Sequence, residues 1–290
     1  MKILSKDVRE RIELINEIGT LPRVMARVLA IVKDPASTAI DLSNELSNDQ
    51  ALTVNILKTV NSAYYGFQRQ IMTVPEAVVL LGFNEVERLA LAITVINTLG
   101  MDRESVKAMR LLWRHSLASS IAGSYLEERA AEEIPDVRGA HVGCLLHDIG
   151  KAVIAQHFPE IMPRLLQLVE ENGMTFIDAE AELMDGCTHA MIGGMLARRW
   201  DLPSVIVESI EMHHNPDSVH VDKIHVHLTH LSDYVCNTLG YASYATAAVP
   251  PLSERTSELF NFNEEIVEGI REHLGRHKSS IGAITSGVMF

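Results

Sequence analysis

Residues 141–151 read His-Val-Gly-Cys-Leu-Leu-His-Asp-Ile-Gly-Lys, an apolar run that ends in the adjacent pair His147-Asp148. Two ionisable side chains at the end of an apolar helix are costly unless they are paired or bind a cation. Further nitrogen and carboxylate donors stand at intervals that a helical domain can fold together, namely His115, His189, His213, His214 and Asp233. Such donors suit Mn, Fe, Co, Ni or Zn, so the pattern predicts a metal centre.

Composition excludes several classes of protein. The 290 residues are 47% hydrophobic, which is ample for a buried core and argues against global disorder. Acidic residues outnumber basic residues 38 to 25, the formal charge is -13, and no cluster of Lys and Arg stands out. This charge opposes attraction to DNA or RNA, so we expect no nucleic-acid partner.

The sequence also predicts a cytoplasmic protein with no membrane partner. No CxxC pair occurs among the three cysteines, Cys144, Cys187 and Cys236. This odd, unpaired set fits a reducing compartment. The N-terminus is too charged for a signal peptide. The longest apolar stretch, residues 74–98, is interrupted by four polar residues and is therefore unsuited to span a bilayer.

Apolar residues recur at helical spacing along most of the chain, and strand alternation is scarce. With capping residues and prolines as boundaries, the pattern predicts helices at 22–34, 39–46, 50–61, 75–82, 85–99, 104–133, 137–157, 161–171, 176–184, 189–200, 203–214, 224–239 and 263–277. Loops are expected at 62–73, 217–223 and 241–255, and a mobile tail from residue 279. An internal boundary is expected near residues 100–104.

Two sets of sequence blocks occur in a specific order. The first half contains Leu21-Pro22, Asp49-Gln-Ala-Leu-Thr53, Val60-Asn-Ser-Ala-Tyr-Tyr-Gly66 and Ala77-Val-Val-Leu-Leu-Gly82. The second half contains Trp113-Arg-His-Ser116, Leu145-Leu-His-Asp-Ile-Gly-Lys151, His189-Ala190, Trp200-Asp-Leu-Pro203 and His213-His214. Over about residues 10–240, the chain thereby resembles HDOD domains, bacterial helical modules related to HD-type metal phosphohydrolases.

The resemblance implies an all-α fold with a role in bacterial signalling, and most such modules have no established enzymatic activity. The related HD-GYP phosphodiesterases hydrolyse cyclic di-GMP at a two- or three-metal site. Position by position, the ligands of that site correspond to His115, His147, Asp148, His189, His213 and Asp233, all of which this chain has kept. The Gly-Tyr-Pro motif that follows the paired His in those enzymes is missing here, which argues against hydrolysis of cyclic di-GMP.

In a working site, Asp148 would bridge two metal ions, and a metal-bound water would become a nucleophile at neutral pH. Lys151, one turn later, would neutralise a substrate phosphate, so Lys151 and Asp148 are the candidate catalytic residues. The alternative is a vestigial polar network in which His147 and Asp148 satisfy each other. In that interpretation His213 serves as a helix C-cap. We expect His214 to point away from the site, being offset by about 100° from its neighbour.

Three further features have simpler structural interpretations. Cys144 and Cys236 could line a redox-sensitive pocket, but small buried apolar residues are the favoured interpretation of the cysteines. Tyr64-Tyr65 is expected to pack between subdomains instead of stacking on a ligand. A His-rich stretch could supply another ligand, although surface or helix-capping roles are favoured for its members, His220, His225, His227 and His230.

The sequence therefore predicts an all-α, multi-helix bundle in three parts. An N-terminal HDOD helical subdomain (1–103) serves interaction and packs on an HD-like metal-binding subdomain (104–240), followed by a loop, a helix and a mobile tail (241–290). The predicted function is a bacterial signalling module with one or two divalent transition-metal ions and signalling proteins as partners. The alternative is a metal-dependent phosphohydrolase, whose ligand would be a phosphorylated small molecule such as a nucleotide or cyclic dinucleotide.

Both functions share one fold, so only the site can separate them. An open metal face near Lys151, wide enough for a phosphate, would favour the enzyme. A site covered by the loop 217–223 or by the N-terminal bundle would favour a structural or sensing centre.

Overall fold

A computed structural model describes residues 10, 20, 22–63, 65–99, 109–130, 137, 139–218, 223–244 and 248–285. Every regular element within these ranges is helical, which confirms the all-α prediction. The boundary expected near residues 100–104 lies outside the described residues.

Three helices of the N-terminal bundle are preceded by an N-cap residue, whose side chain accepts a hydrogen bond from a backbone N–H of the first turn. These capping residues are Thr38, Asp49 and Thr73, and such caps satisfy backbone donors that have no partner within the helix. Within the described part of this bundle the helices are α1 (Arg23–Lys33), α2 (Ala39–Ser47), α3 (Gln50–Val60), α4 (Val74–Leu81) and α5 (Phe83–Thr98).

Helix α5 is the central element of this bundle. It packs against the four preceding helices and also contacts the second half of the chain. Residues 85–96 are all buried, including three charged ones, so the helix has no free polar face along this length.

The second half surrounds the residues expected to bind metal. Its helices are α6 (Arg110–Ala130), α7 (Ala140–Leu146), α8 (Ile149–His157), α9 (Met162–Asn172), α10 (Phe176–Leu183), α11 (His189–Arg199), α12 (Ser204–Met212) and α13 (Ile224–Cys236). Helix α6 packs against α7 and α13, and α8 packs against α11. A π-helical turn, Asn237–Tyr241, extends α13.

The prediction of one continuous helix over 137–157 was wrong, because α7 ends at Leu146 and α8 begins at Ile149. The two residues of the break are His147 and Asp148. Successive residues of a regular helix differ in direction by about 100°. Interrupting the helix here lets both side chains enter the core, where their exposed fractions are 0% and 1%.

The C-terminal region contains more helix than the sequence indicated. The expected helix is present as α15 (Glu264–Arg276), but α14 (Glu254–Leu259) precedes it and α16 (Lys278–Thr285) follows it. Ile281 is buried, so the described part of the predicted tail is a packed helix; residues 286–290 lie outside the described residues. Helices α15 and α16 both pack on α6.

Candidate metal centre

Side chains from both sides of the α7–α8 break form two groups of three donors. In the first group, His115 Nε2 on α6 is 3.1 Å from His147 Nε2 and 3.0 Å from Asp233 Oδ1 on α13. In the second group, His189 Nε2 at the start of α11 is 3.4 Å from His213 Nε2 and 3.1 Å from His214 Nε2. Five of the six residues predicted as ligands lie in these two groups, and the sixth, Asp148, lies between them.

Asp148 lies between the two groups. Its Oδ2 atom is 3.6 Å from Nε2 of both His115 and His147. Its Oδ1 atom is 3.1 Å from His189 Nε2 and 3.9 Å from His213 Nε2, and this buried oxygen accepts no well-aligned hydrogen bond. Each carboxylate oxygen thus faces one group, which is the arrangement required of a bridging ligand.

The imidazole rings are oriented by acceptors bonded to their outer nitrogens. These Nδ1 contacts run from His115 to Tyr241 O, from His147 to Cys144 O, from His189 to Glu180 Oε2 and from His213 to Ile210 O, over 2.6–2.9 Å. Carbonyl and carboxylate oxygens can only accept, so Nδ1 carries the hydrogen. Nε2 of each ring therefore faces the centre and is the atom available to a metal ion when the ring loses its second proton.

Burial alone would raise the pKa of Asp148, but the Lys151 ammonium and the adjacent imidazoles hold it well below its ordinary value. Hydrogen bonds from His115 and His147 likewise outweigh burial and hold the pKa of Asp233 well below its ordinary value. Both carboxylates are therefore charged at neutral pH, which is the protonation state of a metal ligand.

Within the second group, His213 and His214 differ from His189 in the direction of their pKa shifts. Burial, followed by repulsion from neighbouring imidazoles, lowers the pKa of His213 and His214 well below its ordinary value. For His189, burial is outweighed by the Glu180 carboxylate, which raises the pKa. Glu180 is fully buried and also accepts from the His189 backbone N–H, so it fixes both the ring and the start of α11.

Lys151 faces the centre, as predicted, but its charge is already paired. Its Nζ atom is 2.7 Å from Asp148 Oδ2 and 3.2 Å from Ser243 Oγ. Tyr244 stacks on Phe176, with ring centroids 4.4 Å apart, and covers the approach to the lysine. The remaining mouth has a volume of about 30 Å³, which is enough to admit water.

Three predictions about individual histidines were wrong. His214 was expected to point away, yet its ring lies against His189, because it comes after the C-cap residue His213, where the helix α12 no longer sets its direction. His227 and His230 were expected to have surface or helix-capping roles, and the expectation of a surface position was wrong because both are buried. Their three-residue spacing up to Asp233 indicates this shared inward face.

The two buried histidines of α13 bond residues next to the centre and residues near the start of α14. His230 Nδ1 donates to the His213 carbonyl over 2.7 Å, and its Nε2 accepts from Ser253 N over 3.1 Å. His227 Nδ1 is 2.7 Å from Thr256 Oγ1. The half-buried His225 contacts Glu208, whereas His220 lies outside the described residues.

All three cysteines are buried, as expected of small core residues. Burial raises the pKa of the Cys144 thiol to about 12, so it stays protonated at neutral pH. Tyr65 also packs inside, where its hydroxyl donates to Glu85 over 3.2 Å; Tyr64 lies outside the described residues.

Comparison with known proteins gives the family. The family model of the HDOD domain matches residues 18–216. The chain belongs to the HDOD family. A curated but uncharacterized protein of Treponema pallidum (strain Nichols) is 26% identical over 203 residues, which cover 69% of this HDOD chain and 38% of that relative. The chain thus spans well under half the length of that protein.

Solved structures share the fold of this HDOD protein. An HDOD domain protein of unknown function from Geobacter sulfurreducens has a TM-score of 0.67 at 23% identity, covering 99% of this chain and 98% of the other. A candidate signal transduction protein from Marinobacter aquaeolei VT8 has a TM-score of 0.75 at 20% identity, covering 98% and 65%. A candidate metal-dependent phosphohydrolase from Shewanella amazonensis SB2B has a TM-score of 0.53 at 20% identity, covering 98% and 97%. At these identities the likeness establishes the fold alone.

Among the described residues, no helix combines the length and apolar character needed to cross a membrane.

Proposed function

We propose that this HDOD protein is a bacterial regulatory module whose second half binds two divalent transition-metal ions. The observation that carries the proposal is the convergence of imidazole nitrogens on two carboxylates. Nε2 atoms of neighbouring rings are 3.1–3.4 Å apart, while Nδ1 of His115, His147, His189 and His213 is bonded outward. Two such nitrogens can face each other only with a proton or a metal ion between them, and the adjoining carboxylates of Asp148 and Asp233 make this donor set fit a divalent ion.

The donors divide into two sets that share one carboxylate. His115, His147 and Asp233 would hold one ion with Asp148 Oδ2. His189, His213 and His214 would hold the other with Asp148 Oδ1. Mixed nitrogen and oxygen donors fit Fe, Mn, Co, Ni or Zn. Such ions, when bound, polarise oxygen ligands and acidify bound water.

The cover over the centre favours regulation over turnover. Ser243 and Tyr244 occupy the approach, and Lys151 is ion-paired with Asp148 instead of being available for a phosphate. A centre of this kind suits a module that reports metal or redox state to a protein partner. The N-terminal bundle, predicted as residues 1–103, would then be the part that contacts signalling proteins.

Phosphoester hydrolysis is the second candidate, and one observation favours it. The narrow mouth reaches His214 and Asp233 directly, so water has access to the donors of both proposed ions. A nucleotide would fit only after Tyr244 leaves Phe176. Hydrolysis therefore requires movement of this cover, whereas metal binding does not.

The deciding experiment is metal analysis by mass spectrometry on protein purified without chelator or histidine tag. We expect about two ions per chain, and fewer than one in Asp148→Asn, which keeps the shape of the side chain but loses its charge. Asp178→Asn, which alters an exposed carboxylate near the N-terminus of α10, serves as the control and should match the unmodified protein. A folded but metal-free unmodified protein would show that the proposal is wrong.

The metal-loaded protein is then tested on bis(p-nitrophenyl) phosphate. Release of nitrophenolate that disappears in Asp148→Asn would establish hydrolysis as the function. Absence of release with two bound ions leaves the regulatory function in place.

A further inference from the structure

Three charged residues on α5 join the N-terminal bundle to the rest of the protein. Glu85, Glu87 and Arg88 are the charged residues that interrupt the longest apolar stretch, and each is at most 4% exposed. Arg88 Nη1 donates to Ser124 Oγ on α6 over 2.9 Å. Burying three charges on one helix is costly unless each has a defined partner. Their partners therefore show what this helix is built to contact.

Glu87 contacts the helix that ends at the metal centre. Both of its carboxylate oxygens are 3.1 Å from His141 Nε2 in the first turn of α7. His141 Nδ1 is 2.8 Å from Glu127 Oε2 on α6, and Glu127 also accepts from the backbone N–H groups of Gly139 and His141. Burial opposes a charge on His141, but these carboxylates raise its pKa to about 10. The ring is thus a buried cation between two anions.

Helix α7 is suited to transmit a displacement. It has seven residues, all buried, and is about 10 Å long. His141 lies in its first turn, and the His147-Asp148 break follows its last residue. Its Cys144 carbonyl also orients the His147 ring. Close-packed elements of this kind shift as units and do not deform continuously.

We infer that Glu87 and His141 are positioning residues that couple occupancy of the metal centre to packing of the N-terminal bundle. This inference rests on the proposed function. An ion that fixes His147 and Asp148 fixes one end of α7 and so stabilises the contact of the other end with α5. Coupling between two binding sites is reciprocal. If bound metal changes the affinity for a partner that displaces α5, that partner changes the affinity for metal by the same factor. The packing of the N-terminal bundle, which is the proposed partner-binding part, would thereby depend on whether the centre holds metal.

The test is hydrogen exchange followed by mass spectrometry on the full chain, with and without added Mn²⁺ or Zn²⁺. Three proteins are compared: the unmodified chain, Glu87→Gln, and Glu85→Gln. Glu85 is a matched control, because it is buried on the same helix but pairs with Arg88 and His277 instead of α7. If Glu87→Gln fails to fold, His141→Gln replaces it.

We expect metal to slow exchange in α7 of all three proteins. In α5 it should slow exchange in the unmodified chain and in Glu85→Gln, but not in Glu87→Gln. Metal affinity should fall about tenfold in Glu87→Gln and stay within about twofold in Glu85→Gln. A purely structural role for Glu87 would change exchange equally with and without metal, and that result would overturn the inference.

Two results separate this inference from the metal proposal. Two bound ions by native mass spectrometry with no metal-dependent change in α5 would refute the coupling and leave the metal centre in place. If no metal binds, Asp148→Asn tests the coupling alone, since disturbing the α7–α8 break should speed exchange in α5. Unchanged exchange in α5 of that variant would refute the coupling as well.

Discussion

Gly150→Ala should separate the two helices that hold Asp148 against His189. Gly150 lies in the first turn of α8, where this helix crosses α11. A Cβ atom at this position would be 2.0 Å from the carbonyl oxygen of His189 and 2.9 Å from the backbone nitrogen of Gly193. Both neighbours are backbone atoms that cannot rotate away, so the helices themselves have to move apart by at least about 1 Å.

The expected cost follows from this contact. Overpacking a core costs about 1–3 kcal/mol, and a clash with backbone belongs at the upper end of that range. Alanine has a higher helix propensity than glycine, which offsets up to about 1 kcal/mol of this cost. We therefore expect a net loss of about 2 kcal/mol in the free energy of unfolding, or a Tm lower by roughly 4–8 °C.

The assay is urea unfolding together with metal analysis. Gly275→Ala is the control, because a Cβ at Gly275 in α15 meets no atom within 4 Å, and this variant should be as stable as the unmodified protein or slightly more stable. In Gly150→Ala, the ion proposed at His189 should be lost while the ion at His115 is kept. Unmodified stability with both ions present would refute the packing argument and the placement of the second ion.

Three other changes test separate parts of the structure. His141→Gln should lower the free energy of unfolding most below pH 6.5, because the His141 pKa is about 10 in the folded protein and about 6.5 in the unfolded chain. The loss should shrink as pH rises towards 10, by at most about 1.4 kcal/mol per pH unit. A loss that grows with pH would contradict this. Asn61→Ala should cost about 2–3 kcal/mol in chemical unfolding, because the Asn61 side chain bonds both the N–H and the C=O of buried Ile71, whereas Glu45→Gln, in an exposed ion pair, should cost less than about 1 kcal/mol. Glu180→Gln should weaken metal binding roughly ten- to hundredfold without unfolding the protein, as measured by competition with a chromogenic chelator.

Much of the helical architecture was predictable because local signals and tertiary packing agree. Thr38 and Asp49 cap helices that begin where the sequence predicts, and Gly82, with φ of 87°, separates α4 from α5. The break at His147 was not predictable from periodicity, because the apolar pattern continues through it. Only the requirement that two adjacent polar side chains face one centre interrupts the helix.

The candidate metal donors were predictable as residue types, and the residues that contact them only in part. His230 could have been placed from its three-residue spacing to Asp233. His214 could not, since its direction is set after α12 has ended. Glu180 and Glu87 had no local signal either: their partners are nine and 54 residues away, and only the folded chain brings them together.

Family membership and the proposed metal centre rest on different observations. The family match ends at residue 216, but the centre continues beyond it. Asp233 completes the first group of donors, Tyr241 orients His115, and Ser243 with Tyr244 covers the approach to Lys151. A protein that shares only the matched region would share the fold and still lack these contacts. The case for metal therefore rests on how residues 224–244 of this chain meet the helices before them.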